Sequence, residues 1–240
     1  MVSRKTVGAI AVIIVAAALV LAAMAWGDST RAGADGGRDM RQQIDDIAFS
    51  GNGSSVSEKF ALEAGVMILH MTYSGSNYLI VNLYNESGYL RGMLANEKGP
   101  FEGSTLIGVQ NGSAVGAVPG KYFMEVEATG AWNITVEQPR VNGGAALPDT
   151  ISGRGADASG PLRLGNGSVT FNITHVGSSS FAVKLWADDG TYVELLASEL
   201  GNFAGERVLR VGDGSGSVSS GIYWLSVDAD GEWVIAVTKQ

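Results

Sequence analysis

Gly120–Val136 reads GKYFMEVEATGAWNITV, and Gly221–Val237 reads GIYWLSVDADGEWVIAV. The two align without a gap and share Gly120/Gly221, Tyr122/Tyr223, Val126/Val227, Ala128/Ala229, Gly130/Gly231, Trp132/Trp233, Ile134/Ile235 and Val136/Val237. Each copy alternates apolar and polar residues, breaks at a Thr-Gly or Asp-Gly pair, and alternates again. That is the pattern of a β-hairpin with one buried face. The chain writes one β unit twice.

The correspondence extends upstream at a spacing of 102 residues, with one residue deleted before the final hairpin. Phe49-Ser50-Gly51 recurs as Ile151-Ser152-Gly153, Phe60 and Leu62 as Leu162 and Leu164, and Val81, Leu83 and Gly88 as Val183, Leu185 and Gly190. Leu94-Ala95, Glu97 and the Gly99-x-Phe101-x-Gly103 run recur as Leu196-Ala197, Glu199 and Gly201-x-Phe203-x-Gly205. The expected fold is all-β: two tandem antiparallel β-sandwiches of jelly-roll-like type, at residues 44–139 and 150–240, joined by RVNGGAALPD. In the first module strands are expected near Ile44–Phe49 and over Lys59–Leu62, Val66–Tyr73, Tyr78–Asn85, Tyr89–Ala95, Ser104–Val109, Lys121–Ala128 and Ala131–Glu137. Alternation turns Val81, Leu83, Tyr122, Val126, Trp132 and Ile134 inward.

Ahead of the repeat, Thr6–Gly27 holds no charged residue and is long enough, at about 1.5 Å per helical residue, to cross a bilayer core of about 30 Å. Arg4 and Lys5 precede it and Trp26 closes it, which places the amino terminus in the cytoplasm and the rest outside. Residues 1–27 are thus expected to be a transmembrane signal-anchor, and residues 28–43 (DSTRAGADGGRDMRQQ) a flexible polar stalk. The alternative is a signal peptide cleaved after Ala23-Met24-Ala25, which makes the product secreted.

Apart from Arg4 and Lys5 the chain carries 14 basic and 24 acidic residues, a surface that repels nucleic-acid backbones. The absence of cysteine excludes disulfides, thiolate metal sites and cysteine nucleophiles. His70 and His175 occupy non-equivalent repeat positions, outside any metal-ligand spacing, and read as structural. Asp228-Ala-Asp230-Gly231 resembles half a calcium loop, but its counterpart Glu127-Ala-Thr129-Gly130 lacks the second carboxylate, so turn chemistry accounts for both. No nucleophile elbow or phosphate loop is present, and the expectation is a non-enzymatic chain without a cofactor.

Asn-x-Ser/Thr occurs at Asn52, Asn85, Asn111, Asn133, Asn166 and Asn172, six of eleven asparagines, where chance gives about one or two. Asn133 and Asn172 lie between inward-pointing neighbours, so their side chains face out; with Asn85 they are the better glycan acceptors. Asn52, Asn111 and Asn166 stand in Asn-Gly-Ser, which also suits a turn.

The same alternation turns Tyr84 and Phe123 outward in one module and Trp186 and Trp224 outward in the other. Four outward aromatics at matched positions are expected to form a surface that stacks on sugar rings or anchors a partner protein.

A Gly-Ser strand entry, an L-A-x-E-x-G-x-F-x-G segment and a terminal G-x-Y-x-x-x-V-x-A-x-G-x-W hairpin, in that order in each module, resemble β-sandwich repeats of archaeal and bacterial surface proteins, similar in layout to pre-peptidase C-terminal-type domains. The resemblance implies fold and extracellular setting rather than activity. The expected function is a membrane-anchored surface glycoprotein whose modules contact a glycan or an envelope protein. The alternatives are an archaeal pilin- or archaellum-type filament subunit, processed at Gly8-Ala9, or the carbohydrate-binding accessory of a secreted enzyme.

Overall fold

A computed structural model of the chain describes residues 44–112 and 116–240; the expected anchor and stalk lie outside the described residues. The described chain is all-β. The first sandwich contains β1 (Ile47–Asn52), β2 (Ser55–Val56), β3 (Phe60–Leu62), β4 (Gly65–Tyr73), β5 (Tyr78–Asn85), β6 (Leu90–Lys98), β7 (Phe101–Val109), β8 (Gly120–Glu127) and β9 (Ala131–Glu137). One sheet runs β1-β9-β4-β7 and the other β2-β8-β5-β6, with β3 also on β8, all pairs antiparallel. With β2 and β3 counted as one interrupted strand, this is the strand order of a jelly roll.

The second sandwich repeats that order. It contains β10 (Asp149–Arg154), β11 (Asp157–Leu164), β12 (Gly167–Val176), β13 (Ser180–Ala187), β14 (Tyr192–Leu200), β15 (Phe203–Val211), β16 (Gly221–Asp228) and β17 (Glu232–Lys239), in sheets β10-β17-β12-β15 and β11-β16-β13-β14. The duplication holds to single-residue register. Val81 pairs with Val126 and Val183 with Val227; the bulges between Val81 and Asn82 and between Leu83 and Tyr84 recur between Val183 and Lys184 and between Leu185 and Trp186. The expected first strand begins three residues later than Ile44, and β2 was not anticipated because Ser55-Val56 carries no alternation long enough to read.

Each sandwich has its own core. Val81, Leu83, Tyr122, Val126, Trp132 and Ile134 all sit in the first, and Val183, Leu185, Tyr223, Val227, Trp233 and Ile235 in the second. The repeated Ser-Gly pair has a packing cause. A β-carbon on Gly51 would stand 2.5 Å from Cζ2 of Trp132, and one on Gly153 would stand 2.4 Å from Cζ2 of Trp233. Each indole lies on a bare backbone, and its Nε1 donates across the sandwich corner, to the Gly53 carbonyl at 2.8 Å or the Gly155 carbonyl at 3.0 Å. The hydroxyls of Tyr122 and Tyr223 likewise donate to the carbonyls of Val118 and Ser219, tying β8 and β16 to the loops that precede them.

Candidate functional site

The two sandwiches meet through unlike faces. β4 reads GVMILHMTY: Met67, Leu69 and Met71 point into the first core, while Val66 and Ile68, both buried, point away from it. An outward Val and Ile would be stranded in water on an isolated sandwich. Here they join Leu106 of β7 in a third apolar cluster with Trp186 and Trp224 of the second sandwich. The run Val66–Leu69 is apolar without alternation because both of its faces are covered.

This corrects the expectation of four open aromatics. Trp186 and Trp224 do leave their own core, but they are 2% and 5% exposed, because the β4-β7 sheet of the first sandwich lies over them. They are part of the joint between modules rather than an open binding surface. Tyr84 and Phe123, at the equivalent positions, are half-buried and stack on each other with centroids 5.4 Å apart and planes 11° apart. Tyr84 donates to Glu125 at 3.0 Å, a bond that holds its phenol above its ordinary pKa.

The joint is specific. A β-carbon on Gly108 would stand 1.8 Å from the carbonyl oxygen of Gly190 and 2.8 Å from Trp186 Cζ3, so only glycine admits the approach. Ser104 stitches β7 to the start of β11: its amide donates to the Ala156 carbonyl at 3.0 Å, its hydroxyl donates to Asp157 at 2.6 Å, and it accepts from the Ala158 amide at 3.0 Å. Trp224 Nε1 donates to Asp188 at 3.0 Å within the second sandwich. These polar groups are satisfied where the apolar cluster removes them from water, which holds the two modules in one arrangement.

Beside the joint the two surfaces diverge into a cleft of about 790 Å³. Its floor is the rest of the outward face of the second sandwich, with Ser180 and Lys184 of β13 and Ser226 and Asp228 of β16. Its wall is Met93–Glu97 on β6 with Thr105 and Ile107 of β7, and Tyr192 and Leu195 of β14 also line it. Glu97, from the first module, has its pKa raised by burial and then by the charge of Asp228, from the second. The lining therefore mixes hydroxyl, amide, ammonium and carboxylate groups with a few apolar side chains, and two modules are needed to make it.

A shallower recess of about 530 Å³ is lined by His70, Thr72, Glu102, Asn133 and Arg154. His70 is outward on β4 and bonds Glu137 at 2.9 Å; that bond, opposed by partial burial, raises its pKa. His175 is buried, its ring stacked on Phe181 at 4.3 Å, with Nδ1 2.8 Å from the Gly201 carbonyl and Nε2 3.4 Å from Asp230. Asp230 accepts from Ser178 N at 2.9 Å, Ser178 Oγ at 2.8 Å and Ser179 N at 2.9 Å, and these bonds lower its pKa. In the first module Tyr73 and Thr129 stand at the same two positions, 3.0 Å apart. Both pairs fasten the turn of the final hairpin to the end of β4 or β12, the sheet neighbour of its last strand, so Asp230 has a turn-holding partner set. Of the sequons, Asn52, Asn111, Asn133, Asn166 and Asn172 are exposed and Asn85 is half-buried, its Oδ1 accepting from the Tyr89 amide at 2.9 Å.

No protein-family model and no curated protein matches the chain. Among solved structures it is similar to the N-terminal CBM22-1–CBM22-2 tandem domain of Paenibacillus barcinonensis Xyn10C, at 10% identity over 84% of this chain and 96% of that one, with a TM-score of 0.25. A second likeness is to the stem and receptor binding domain of the spike protein P1 of bacteriophage PM2, at 9% identity over 83% and 98% of the two chains, with a TM-score of 0.15. At such TM-scores neither likeness bears on function. The chain is a tandem β-sandwich protein.

Proposed function

We propose that the chain is a non-enzymatic, membrane-anchored surface glycoprotein whose paired sandwiches bind a glycan or a glycan-bearing envelope component in the cleft between them. The observation that carries this is the cleft itself: about 790 Å³, built from both modules, and lined by Ser180, Ser226, Asn96, Lys184, Glu97 and Asp228 around Tyr192 and Leu195. Sugars offer hydroxyls that donate and accept together with apolar ring faces, and this lining answers both. The cleft volume lies in the range of small-ligand sites, about 300–1,000 Å³. The apolar Thr6–Gly27 stretch supports the anchor, the sequon excess supports export and glycosylation, and the strand layout supports a pre-peptidase C-terminal-like surface module.

The test is a glycan array and an envelope pull-down with the full chain, repeated with Lys184→Ala and Asp228→Ala. Loss of a charged hydrogen bond in each is expected to weaken capture about tenfold. Capture indifferent to both substitutions, or clear turnover of a polysaccharide, counts against the proposal. Mass spectrometry of the mature amino terminus separates the readings of the leader: Met1 retained for the anchor, Trp26 first for a secreted product, Ala9 first for a filament subunit.

A further inference from the structure

We infer that the outer face of the β2-β8-β5-β6 sheet is a self-association surface, through which two copies of the chain pair about a twofold axis. Cross-strand register sets Leu90, Tyr84 and Phe123 side by side across β6, β5 and β8. The repeat-equivalent row, Tyr192, Trp186 and Trp224, is the one the joint consumes. The same row is therefore covered by the other module in the second sandwich and has no covering module in the first, where Tyr84 and Phe123 are half-buried and Leu90 is exposed. Leu90 is 57% exposed and Tyr78, on the same face, 47%. Gly88 makes the contrast concrete: a β-carbon there would meet nothing within 4 Å, whereas at its equivalent, Gly190, the carbonyl of Gly65 would lie 2.3 Å away.

Within the chain this type of row docks on a sandwich sheet, so the candidate seats are the sheet faces of a second copy. The β4-β7 face is occupied by the copy's own second module. The β12-β15 face, its repeat equivalent, substitutes Ser168 for Val66, Thr170 for Ile68 and Arg210 for Gly108. Arg210 would collide where the intramolecular joint tolerates no side chain at all, so head-to-tail continuation of the repeat is blocked. What is left on the second copy is the same face, with its own row of Leu90, Tyr84 and Phe123 among charged neighbours, which makes the contact isologous. Charge favours one orientation: on the outward side of β8 Phe123 stands between Lys121 and Glu125, with Glu127 beyond, and an axis crossing β8 midway between Lys121 and Glu127 sets each Lys121 against the partner's Glu127. Four strands spaced about 4.8 Å, each about eight residues long at about 3.3 Å, give on the order of 500 Å² per copy. The pair then buries roughly 1,000 Å², the lower bound for a specific interface.

Sedimentation equilibrium of the full chain in density-matched detergent tests this. The wild type is expected to dimerise, Leu90→Glu and Phe123→Glu to weaken the dimer about tenfold or more, Lys121→Glu to weaken it similarly, and Lys121→Glu/Glu127→Lys to restore it. Leu90 is exposed, so its variant tests the face without threatening the core. A monomeric wild type overturns the inference, and Leu90→Glu loss of glycan capture in that case assigns the face to a sugar. A dimer indifferent to Leu90→Glu and Phe123→Glu, and therefore held elsewhere, overturns it as well.

Discussion

The Gly190 carbonyl oxygen occupies the space where any side chain on Gly108 would begin, 1.8 Å from the position of a β-carbon. Gly108→Ala is expected to force the two sandwiches apart at this point while leaving both cores intact. Overpacking costs of this kind run about 1–3 kcal/mol. The check is tryptophan emission, which should shift to the red as Trp186 and Trp224 are wetted, together with a lower or split unfolding transition; an unchanged spectrum and midpoint would contradict the joint.

Trp132 and Trp233 perform one job in two places, so matched substitutions should have matched effects. Trp132→Phe and Trp233→Phe each leave a glycine-floored gap and a corner carbonyl, Gly53 or Gly155, without its indole donor. The expected loss is about 1–3 kcal/mol each, measured by chemical denaturation. A large difference between the two would mean that the modules do not share a core design at this corner.

Glu97 supplies a pH dependence with a definite sign. Burial and the charge of Asp228 raise its folded pKa above the ordinary 4.5, so the folded state holds its proton more tightly than the unfolded state. Ionising Glu97 therefore lowers stability as pH rises from about the unfolded value through the folded one. Glu97→Gln should be more stable than the wild type at neutral pH, and the difference should vanish below about pH 4. Denaturation midpoints of both proteins across that range decide it.

The opposite sign holds at His70. Its bond to Glu137 raises its folded pKa above 6.5, so the stabilisation is present below that value and is lost as pH rises through the folded pKa. Because the pair is substantially exposed, the effect is small, below about 1 kcal/mol after solvent screening. His70→Ala should flatten the stability profile just above neutrality and leave it unchanged at high pH.

The period-two alternation in Gly120–Val136 and its copy was enough to read the sandwich class and the inward set, because hairpin and core positions are dictated locally by turn chemistry and pleat. The joint was not legible in the same way. Trp186 and Trp224 obey alternation and face out of their own core, yet what covers them comes from β4 and β7, in the other module. One local signal did point to it: Val66–Leu69 is apolar on both parities, whereas its counterpart, Ser168–Phe171, alternates polar and apolar residues cleanly. The cleft left no trace, since Glu97 and Asp228 converge only through the angle at which the modules meet. Gly108 was one glycine among thirty-four until its neighbour across the joint was known.

The edge position of β1 has a mechanical meaning. Its six residues, Ile47–Asn52, are all laid antiparallel along β9, opposite Val136 to Ala131. A pull on Ile47 directed along the strand loads that ladder lengthwise, so its hydrogen bonds resist together in shear instead of opening one after another like a peeled seam.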